Sequence, residues 1–269
     1  MSEASDSAKN SKEAESESGP PLWLAPEPDA TPNFSQREFA LREWMDEPTT
    51  FAAYRSAALS LERLNRWSMG HVFVQEFMAK VLERRKVTHE PLHIVDAGCG
   101  HGDTLRSINT WARKKSLPLR LTGIDSNPYS ARLARERDRL EHVAAGKIAW
   151  VTGDLFSAKL EKPVDVVLSS LLAHHLRDDD VVRLLQWKHS QAQVAWMICD
   201  LVRSERAALW FARLARVLRL DAMVQHDGRI SFRRALTVAE WKALVERAGV
   251  NAQVRDVGWG RVCITGSKG

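Results

Sequence analysis

Cysteine is scarce in this chain of 269 residues: Cys99, Cys199 and Cys263 are the only three. Their spacing makes neither a zinc set nor a disulfide framework. Tyrosine is scarcer still, with two against ten tryptophans. No apolar run approaches the about 20 residues that a membrane-spanning helix needs. Met1-Ser2-Glu3-Ala4-Ser5 is not a basic region leading into an apolar core, so no secretory signal is read there. These absences set the expectation of a reducing, cytoplasmic setting. No Gly-Lys-Ser/Thr occurs that would suit a nucleoside triphosphate, and the Gly-x-Gly-x-x-Gly spacing of dinucleotide turns is missing. Asp178, Asp179 and Asp180 are consecutive and read as a helix start, so no metal site is expected.

Charge is unevenly spread. The first 36 residues carry two lysines against seven acidic side chains, a net −5, which leaves +10 on the remainder of a chain of net +5. The arginines of the remainder sit among acids on helix-like stretches such as Arg132 to Arg139, which reads as a solvated helix face. Nucleic acid is therefore not the expected partner.

The run His93 to Asp103 carries most of the information. Leu92 to Val95 reads as a buried strand, followed by Asp96 and then by Gly98, Gly100 and Gly102 at alternate positions. Glycines there let the backbone turn sharply and approach a ligand. Thr104 to Ile108 then opens a helix whose N-terminal N–H groups can hold a carboxylate. A second strand over Leu119 to Ile124 ends at Asp125 and Ser126, where a carboxylate can accept from both ribose hydroxyls. A third, Ile148 to Thr152, ends in Gly153-Asp154-Leu155-Phe156. Asp154 can accept from an adenine amino group beside Leu155, or cap the segment after it. A fourth, Val164 to Leu168, runs into Ser169-Ser170-Leu171-Leu172-Ala173-His174-His175. Val194 to Cys199 reads as a fifth strand, with two more near residues 253–257 and 262–265.

In these motifs and their order, over roughly residues 90 to 265, the chain resembles the class I S-adenosylmethionine (SAM)-dependent methyltransferases. The resemblance implies a Rossmann-like α/β fold: seven strands with the last antiparallel, helices on both faces and an N-terminal helical lid. It implies SAM as cofactor and S-adenosylhomocysteine as product. Asp96, Gly98, Gly100 and Gly102 would hold the methionine end, Asp125 and Ser126 the ribose, Asp154 and Leu155 the adenine, with Ser169 nearby. Arg66 would pair with the cofactor carboxylate from the lid.

The expected organisation is a disordered acidic tail over 1–34, rich in Ser, Glu and Pro, and a helical lid over 35–88. The SAM-binding domain over 89–269 would carry a substrate-capping insertion at about 203–236. Within the lid, Phe39, Leu41, Trp44 and Met45 suggest a first helix that Pro48 stops. Helices over 51–66 and 70–85 follow. Glu205 to Leu218 reads as an amphipathic helix, 219–236 as irregular, and Thr237-Val-Ala-Glu240 as a capping box for a helix that Gly249 ends.

A hydroxyl acceptor must lose its proton, and histidine titrates in the useful range. His174 and His175 are both candidates for the base, and the sequence does not choose between them. No Asn/Asp-Pro-Pro-Tyr/Phe segment follows strand four, which by the resemblance argues against amide or nucleobase acceptors. Leu41 to Pro48, Leu64 to Trp67, Asp200 to Arg203, Met223 to Gly228 and Ser231 to Ala235 look like segments of bacterial methyltransferases found beside type III polyketide synthases. Such relatives often show Asn-Asp where this chain has Cys199-Asp200. This narrower resemblance implies O-methylation of a phenolic or quinol-type small molecule. Arg203, His226 and Arg234 would line the acceptor pocket, with Trp44, Trp67, Trp210 and Phe211 as aromatic walls. The competing expectations are C- or N-methylation of a small molecule or RNA, and a non-catalytic binding partner.

Overall fold

The computed structural model describes residues 33–67, 70–84, 90–144, 146–160 and 163–268. The acidic tail expected over 1–34 lies outside the described residues up to residue 32. Seven strands form: β1 (Leu92–Ala97), β2 (Leu119–Asp125), β3 (Ile148–Thr152), β4 (Val164–Ser170), β5 (Ala192–Leu201), β6 (Gln253–Gly258) and β7 (Arg261–Ser267). They make one sheet in the order β3-β2-β1-β4-β5-β7-β6. The pairs among the first five strands are parallel, and β7 runs antiparallel to both β5 and β6. All six residues of β1 are buried, as a parallel strand covered on both faces requires.

Eight helices surround the sheet among the described residues: α1 (Phe51–Trp67), α2 (Gly70–Arg84), α3 (Asp103–Lys114), α4 (Pro128–Leu140), α5 (Asp178–Gln191), α6 (Glu205–Val217), α7 (Ala222–Arg234) and α8 (Val238–Ala248). Alternate strand residues feed opposite cores. Val95, Val167 and Ile198 pack with Leu184 of α5 and Trp241 of α8. Their sequence neighbours Ile94, Val166 and Met197 pack with Met78 of α2 and Leu105 of α3. A third core joins Leu64 of α1, Phe211 of α6 and Val224 of α7. Strand order reverses between β1 and β4, so a crevice opens beyond the carboxyl ends of β1, β2, β4 and β5.

Two expectations are corrected. Residues 35–43 are not helical, and only a 3-10 turn, Trp44–Asp46, interrupts an extended strap. Its polar groups find tertiary partners instead of helical ones. Glu38 N–H donates to Arg233 O (3.2 Å), Arg234 donates to Leu41 O (2.6 Å), and the N–H groups of Trp44 and Met45 donate to Asp227 (2.8 and 3.0 Å). Conversely, most of the stretch read as irregular is α7. Asp221 caps it by accepting from Met223 N–H (2.9 Å). Its buried face carries Asp227, Ser231 and Arg234, so polar groups stand where an apolar stripe would have revealed the helix.

The capping box is present. Thr237 accepts from Glu240 N–H (3.2 Å), Glu240 accepts from Thr237 N–H (2.8 Å), and Gly249 closes α8 at φ 66°. Replacing Thr237 by Ala should lower unfolding free energy by about 1 kcal/mol. Urea denaturation checks this: an unchanged midpoint contradicts the cap's contribution.

Candidate active site

The glycine turn is built by its neighbours on β2. Gly98 and Cys99 N–H donate to Ile124 O (2.8 and 3.1 Å), and Gly100 N–H donates to Asp125 Oδ2 (2.8 Å). Asp125 Oδ1 accepts from Asn127 N–H (2.9 Å) and from Ser130 Oγ (2.8 Å). Gly100 has φ +52°, and a Cβ built there would meet nothing within 4 Å, so a ligand can reach the backbone. Gly102 has φ +80°, and a Cβ there would fall 2.0 Å from the Trp150 ring, so the start of α3 admits no side chain.

Helices α1 and α2 clasp this turn. Glu62 accepts from His101 (3.0 Å) and also pairs with Arg66, Arg106 and Arg137. Burial alone would raise the Glu62 carboxyl, but the hydrogen bonds from His101 and Arg66 bring it down to about 2. Asp103 accepts from Asn65 and His71 (3.0 Å each), and Asn65 in turn accepts from Arg261 of β7 (3.1 Å). Asp96 is buried at the cleft wall, and its Oδ1 has no hydrogen-bond partner among the described residues. Burial pushes its carboxyl up, and Lys188 opposes that. The Lys188 ammonium is itself fully buried and pushed down by burial; it donates to Met197 O (3.1 Å) and Val167 O (3.4 Å).

At the end of β4 the chain turns through Leu171, which adopts a left-handed φ of 56° while donating to Cys199 O (3.0 Å). Such a conformation is costly for a β-carbon residue and is sustained by its surroundings. The turn delivers Leu172, His174 and His175 to the cleft. Asp200, at the end of β5, accepts from Ala173 N–H (2.6 Å), Leu201 N–H (2.7 Å) and His174 Nδ1 (2.7 Å). Burial would raise the Asp200 carboxyl, but His174 and those N–H groups hold it below the usual range. An ionised carboxylate only accepts, so His174 Nδ1 carries a hydrogen, and in the neutral ring Nε2 is the acceptor.

His175 is set differently. Its Nδ1 lies 3.4 Å from Asp46 and its Nε2 3.8 Å from Glu43, both on the strap. Burial would lower the imidazole, but Glu43, Asp46 and Asp200 hold it up at about 9. Asp46 is correspondingly brought down to about 2 against its own burial.

Between these two halves lies a cleft of about 620 Å³. Asp96, Gly98, Gly100, Asp125, Ser126, His174 and His175, all singled out from sequence, line it. Trp210, Phe211, Phe232 and Trp259 give its outer part aromatic walls. Other expected residues stand elsewhere. Arg66 is exposed, pairs with the buried Glu62 and is not part of the cleft wall. Arg203 is buried under the strap, donating to Phe34 O (3.1 Å), Ala235 O (2.9 Å) and Glu240 (2.6 Å). Arg234 holds Glu43 (3.3 Å) and Asp46 (2.9 Å), and His226 stacks on Trp44 with ring centroids 3.8 Å apart. These three support the strap and do not line the cleft. Trp44 belongs to that support, and Trp67 is 70% exposed. Asp154 is exposed one strand outward from Asp125, accepting from Phe156 N–H (3.3 Å). Neither it nor Leu155 is part of the cleft wall. Ser169 is buried with its Oγ unpartnered among the described residues, and Ser170 lines the cleft in its place. Sequence reasoning missed Glu43, Asp46, Asn65, Asp103 and Arg261. Asp103 adjoins the glycine turn, but its partners Asn65 and His71 lie on α1 and α2; the other four are lone polar residues in segments far from that turn.

Residues 94–194 match the family model described as a methyltransferase domain. No curated protein matches the chain. Among solved structures, the plantazolicin methyltransferase BpumL, crystallised with a desmethylPZN analog and SAH, superposes with a TM-score of 0.56 at 16% identity, covering 81% of this chain and 96% of that one. A putative O-methyltransferase from Nostoc punctiforme PCC 73102 gives 0.51 at 17% identity, over 76% of this chain and 56% of that one. A SAM-dependent methyltransferase from Aquifex aeolicus gives 0.50 at 16% identity, over 70% and 88%. At such identities the superpositions establish the fold, and the class I methyltransferase sheet is the one they share. The stretch from β1 to β5 is thus a methyltransferase domain. The glycine turn and Asp125 of that domain line the cleft, where a cofactor would sit.

Asp125 and Asp154 are expected to contribute unequally to cofactor affinity. Asp125→Ala should weaken S-adenosylhomocysteine binding at least about tenfold, since it removes a partly buried charged acceptor. Asp154→Ala should weaken it less than about threefold, because water competes at an exposed site. Calorimetric titration decides: equal losses contradict this division.

Proposed function

We propose that the protein methylates the oxygen of a phenolic or quinol-type small molecule, with His174 as general base. The observation that carries the reading is the His174–Asp200 pair, whose carboxylate fixes the ring with Nε2 as acceptor in a cleft with aromatic walls. The resemblance of the strap and of α7 to enzymes found beside type III polyketide synthases supports the same acceptor class.

The residues present fit the cofactor. Gly100 leaves open space against the backbone, and Asp96 presents an unpartnered buried oxygen suited to an ammonium group. Asp125 stands at the end of β2 for the ribose, with Asp154 and Leu155 outward of it for the adenine edge. Arg261, linked through Asn65 to Asp103 at the start of α3, takes the carboxylate role expected of Arg66. When bound, SAM supplies an electrophilic sulfonium methyl group: the acceptor oxygen pair forms the new O–C bond as the C–S pair leaves with sulfur, giving S-adenosylhomocysteine. His174 Nε2 takes the acceptor's O–H proton. Asp200 keeps Nδ1 protonated and stabilises the imidazolium that results. The aromatic outer walls hold the ring of the acceptor and exclude water.

The test is a phenol and hydroquinone panel incubated with SAM, with product mass and S-adenosylhomocysteine followed. His174→Gln should reduce turnover by about 10² to 10⁴-fold. Its S-adenosylhomocysteine affinity should stay within about twofold of wild type, because no cofactor contact is removed. Methyl products on carbon or nitrogen, or unchanged turnover in the variant, would overturn the assignment.

A further inference from the structure

The two neighbouring histidines are held by different carboxylates. His174 is fixed from below by Asp200 of β5, whereas His175 is fixed from above by the strap. Their ring centroids lie 4.2 Å apart, and both rings face the cleft. The His175 Nε2 contact to Glu43, at 3.8 Å, is ionic and too long for a hydrogen bond. The Nε2–H therefore keeps its donor capacity. The carboxylates that charge His175 are themselves tethered. Glu43 accepts from Ser231 Oγ (3.0 Å) and Arg234 (3.3 Å), and Asp46 accepts from Arg234 (2.9 Å). Arg37, at the start of the strap, donates to Leu176 O (2.9 Å) and Asp178 (2.6 Å), so strap and histidine turn are pinned together.

We propose that His175 is a second catalytic group: an imidazolium, fixed by Glu43 and Asp46 of the N-terminal strap, that donates from Nε2 to the acceptor oxygen and stabilises it as an oxyanion beside His174. This rests on the phenol reading above and adds a division of labour. One histidine removes the proton, and the other holds the negative charge that develops. A preorganised donor aimed at developing charge is a large source of rate enhancement in a water-poor site. The strap then belongs to the catalytic machinery, since the charge of His175 depends on it.

The same neighbourhood has another reading. Glu43, His174 and His175 offer ligand atoms within 4.8 Å of one another, as a metal site would. The donor set speaks against it. Arg234 already pairs with Glu43 and Asp46, Asp200 occupies one nitrogen of His174, and Asp46 pairs with His175. A divalent ion would have to compete with the cations already held by those carboxylates.

The groups that face His175 are Glu43 and Asp46 from the strap, Asp200 from β5, His174 on its own turn, Arg37 at the backbone of that turn and Arg234 of α7 behind the carboxylates. A histidine raised to about 9 is charged below that pH and loses its charge above it. Turnover should therefore decline as pH rises through about 9. Asp46→Asn should move that decline to lower pH, and His175→Gln should abolish it while slowing turnover about ten- to a hundredfold. A readout without turnover uses 4-nitrophenol bound alongside S-adenosylhomocysteine, its ionisation followed by absorbance. Wild type should bind it with an ionisation midpoint below that of the free phenol, and His175→Gln should move the midpoint up by about one pH unit or more. Retained S-adenosylhomocysteine affinity shows that the variants are folded. Equal midpoints in wild type and His175→Gln overturn the role of His175 alone. Failure of 4-nitrophenol to bind, with S-adenosylhomocysteine bound normally, overturns the phenol reading and this assignment with it. Activity lost to a chelator and restored by a divalent cation would favour the metal site and also overturn it.

Discussion

The carboxylate of Asp200 organises the half of the cleft where chemistry would occur. It sits at the end of β5 and takes three N–H donors, from Ala173, Leu201 and the His174 ring. A buried carboxylate is tolerable only when so satisfied. Once it is, the turn after β4 is held in place: Leu171 is left-handed, and His174, which lines the cleft, has its Nδ1 committed to Asp200. Asp125 plays the matching part on the cofactor side, where its bond to Gly100 N–H sets the glycine turn. The two aspartates end strands on either side of the point where strand order reverses, which is where an open α/β sheet leaves room for a ligand.

Around this frame the chain adds charges in closed sets. Glu62 joins α1 to His101 of the glycine turn and to arginines of α3 and α4. Arg234 joins α7 to the strap through Glu43, Asp46 and the Leu41 carbonyl. Removing one partner from such a set leaves an uncompensated buried charge and is far costlier than the pair is stabilising. Such sets therefore act mainly as position fixers. They place the N-terminal helices and the strap against a sheet whose own cores are apolar.

Much of this was legible in the sequence, and the reasons are local. The strands showed themselves as apolar runs, Asp96 to Gly102 as a turn with its own chemistry, and Thr237-Val238-Ala239-Glu240 as a capping box. Each is a signal confined to a few neighbouring residues. The failures share a different cause. Residues 35–43 carry apolar side chains at helical steps, yet tertiary donors such as Arg234 take their carbonyls before a helix can. In α7 the buried face interleaves Asp227, Ser231 and Arg234 with Met223, Val224, Ile230 and Phe232, and the polar positions interrupt the apolar stripe. Arg203 and Arg234, expected to line the acceptor pocket, instead bond to carbonyls of the strap, far away in the chain. Polar groups that bond across long sequence separations have no local signature. The different settings of His174 and His175 are the sharpest case, since adjacent residues receive their carboxylates from β5 and from the strap.

The account turns on the state of the His174 ring, which nitrogen-15 NMR of imidazole-labelled protein reads directly. It predicts, for the neutral ring, a proton on Nδ1 shifted downfield by the Asp200 carboxylate and a bare Nε2, with the downfield proton absent from Asp200→Asn. A neutral ring protonated on Nε2 would contradict it, because that nitrogen could then accept no proton from a substrate.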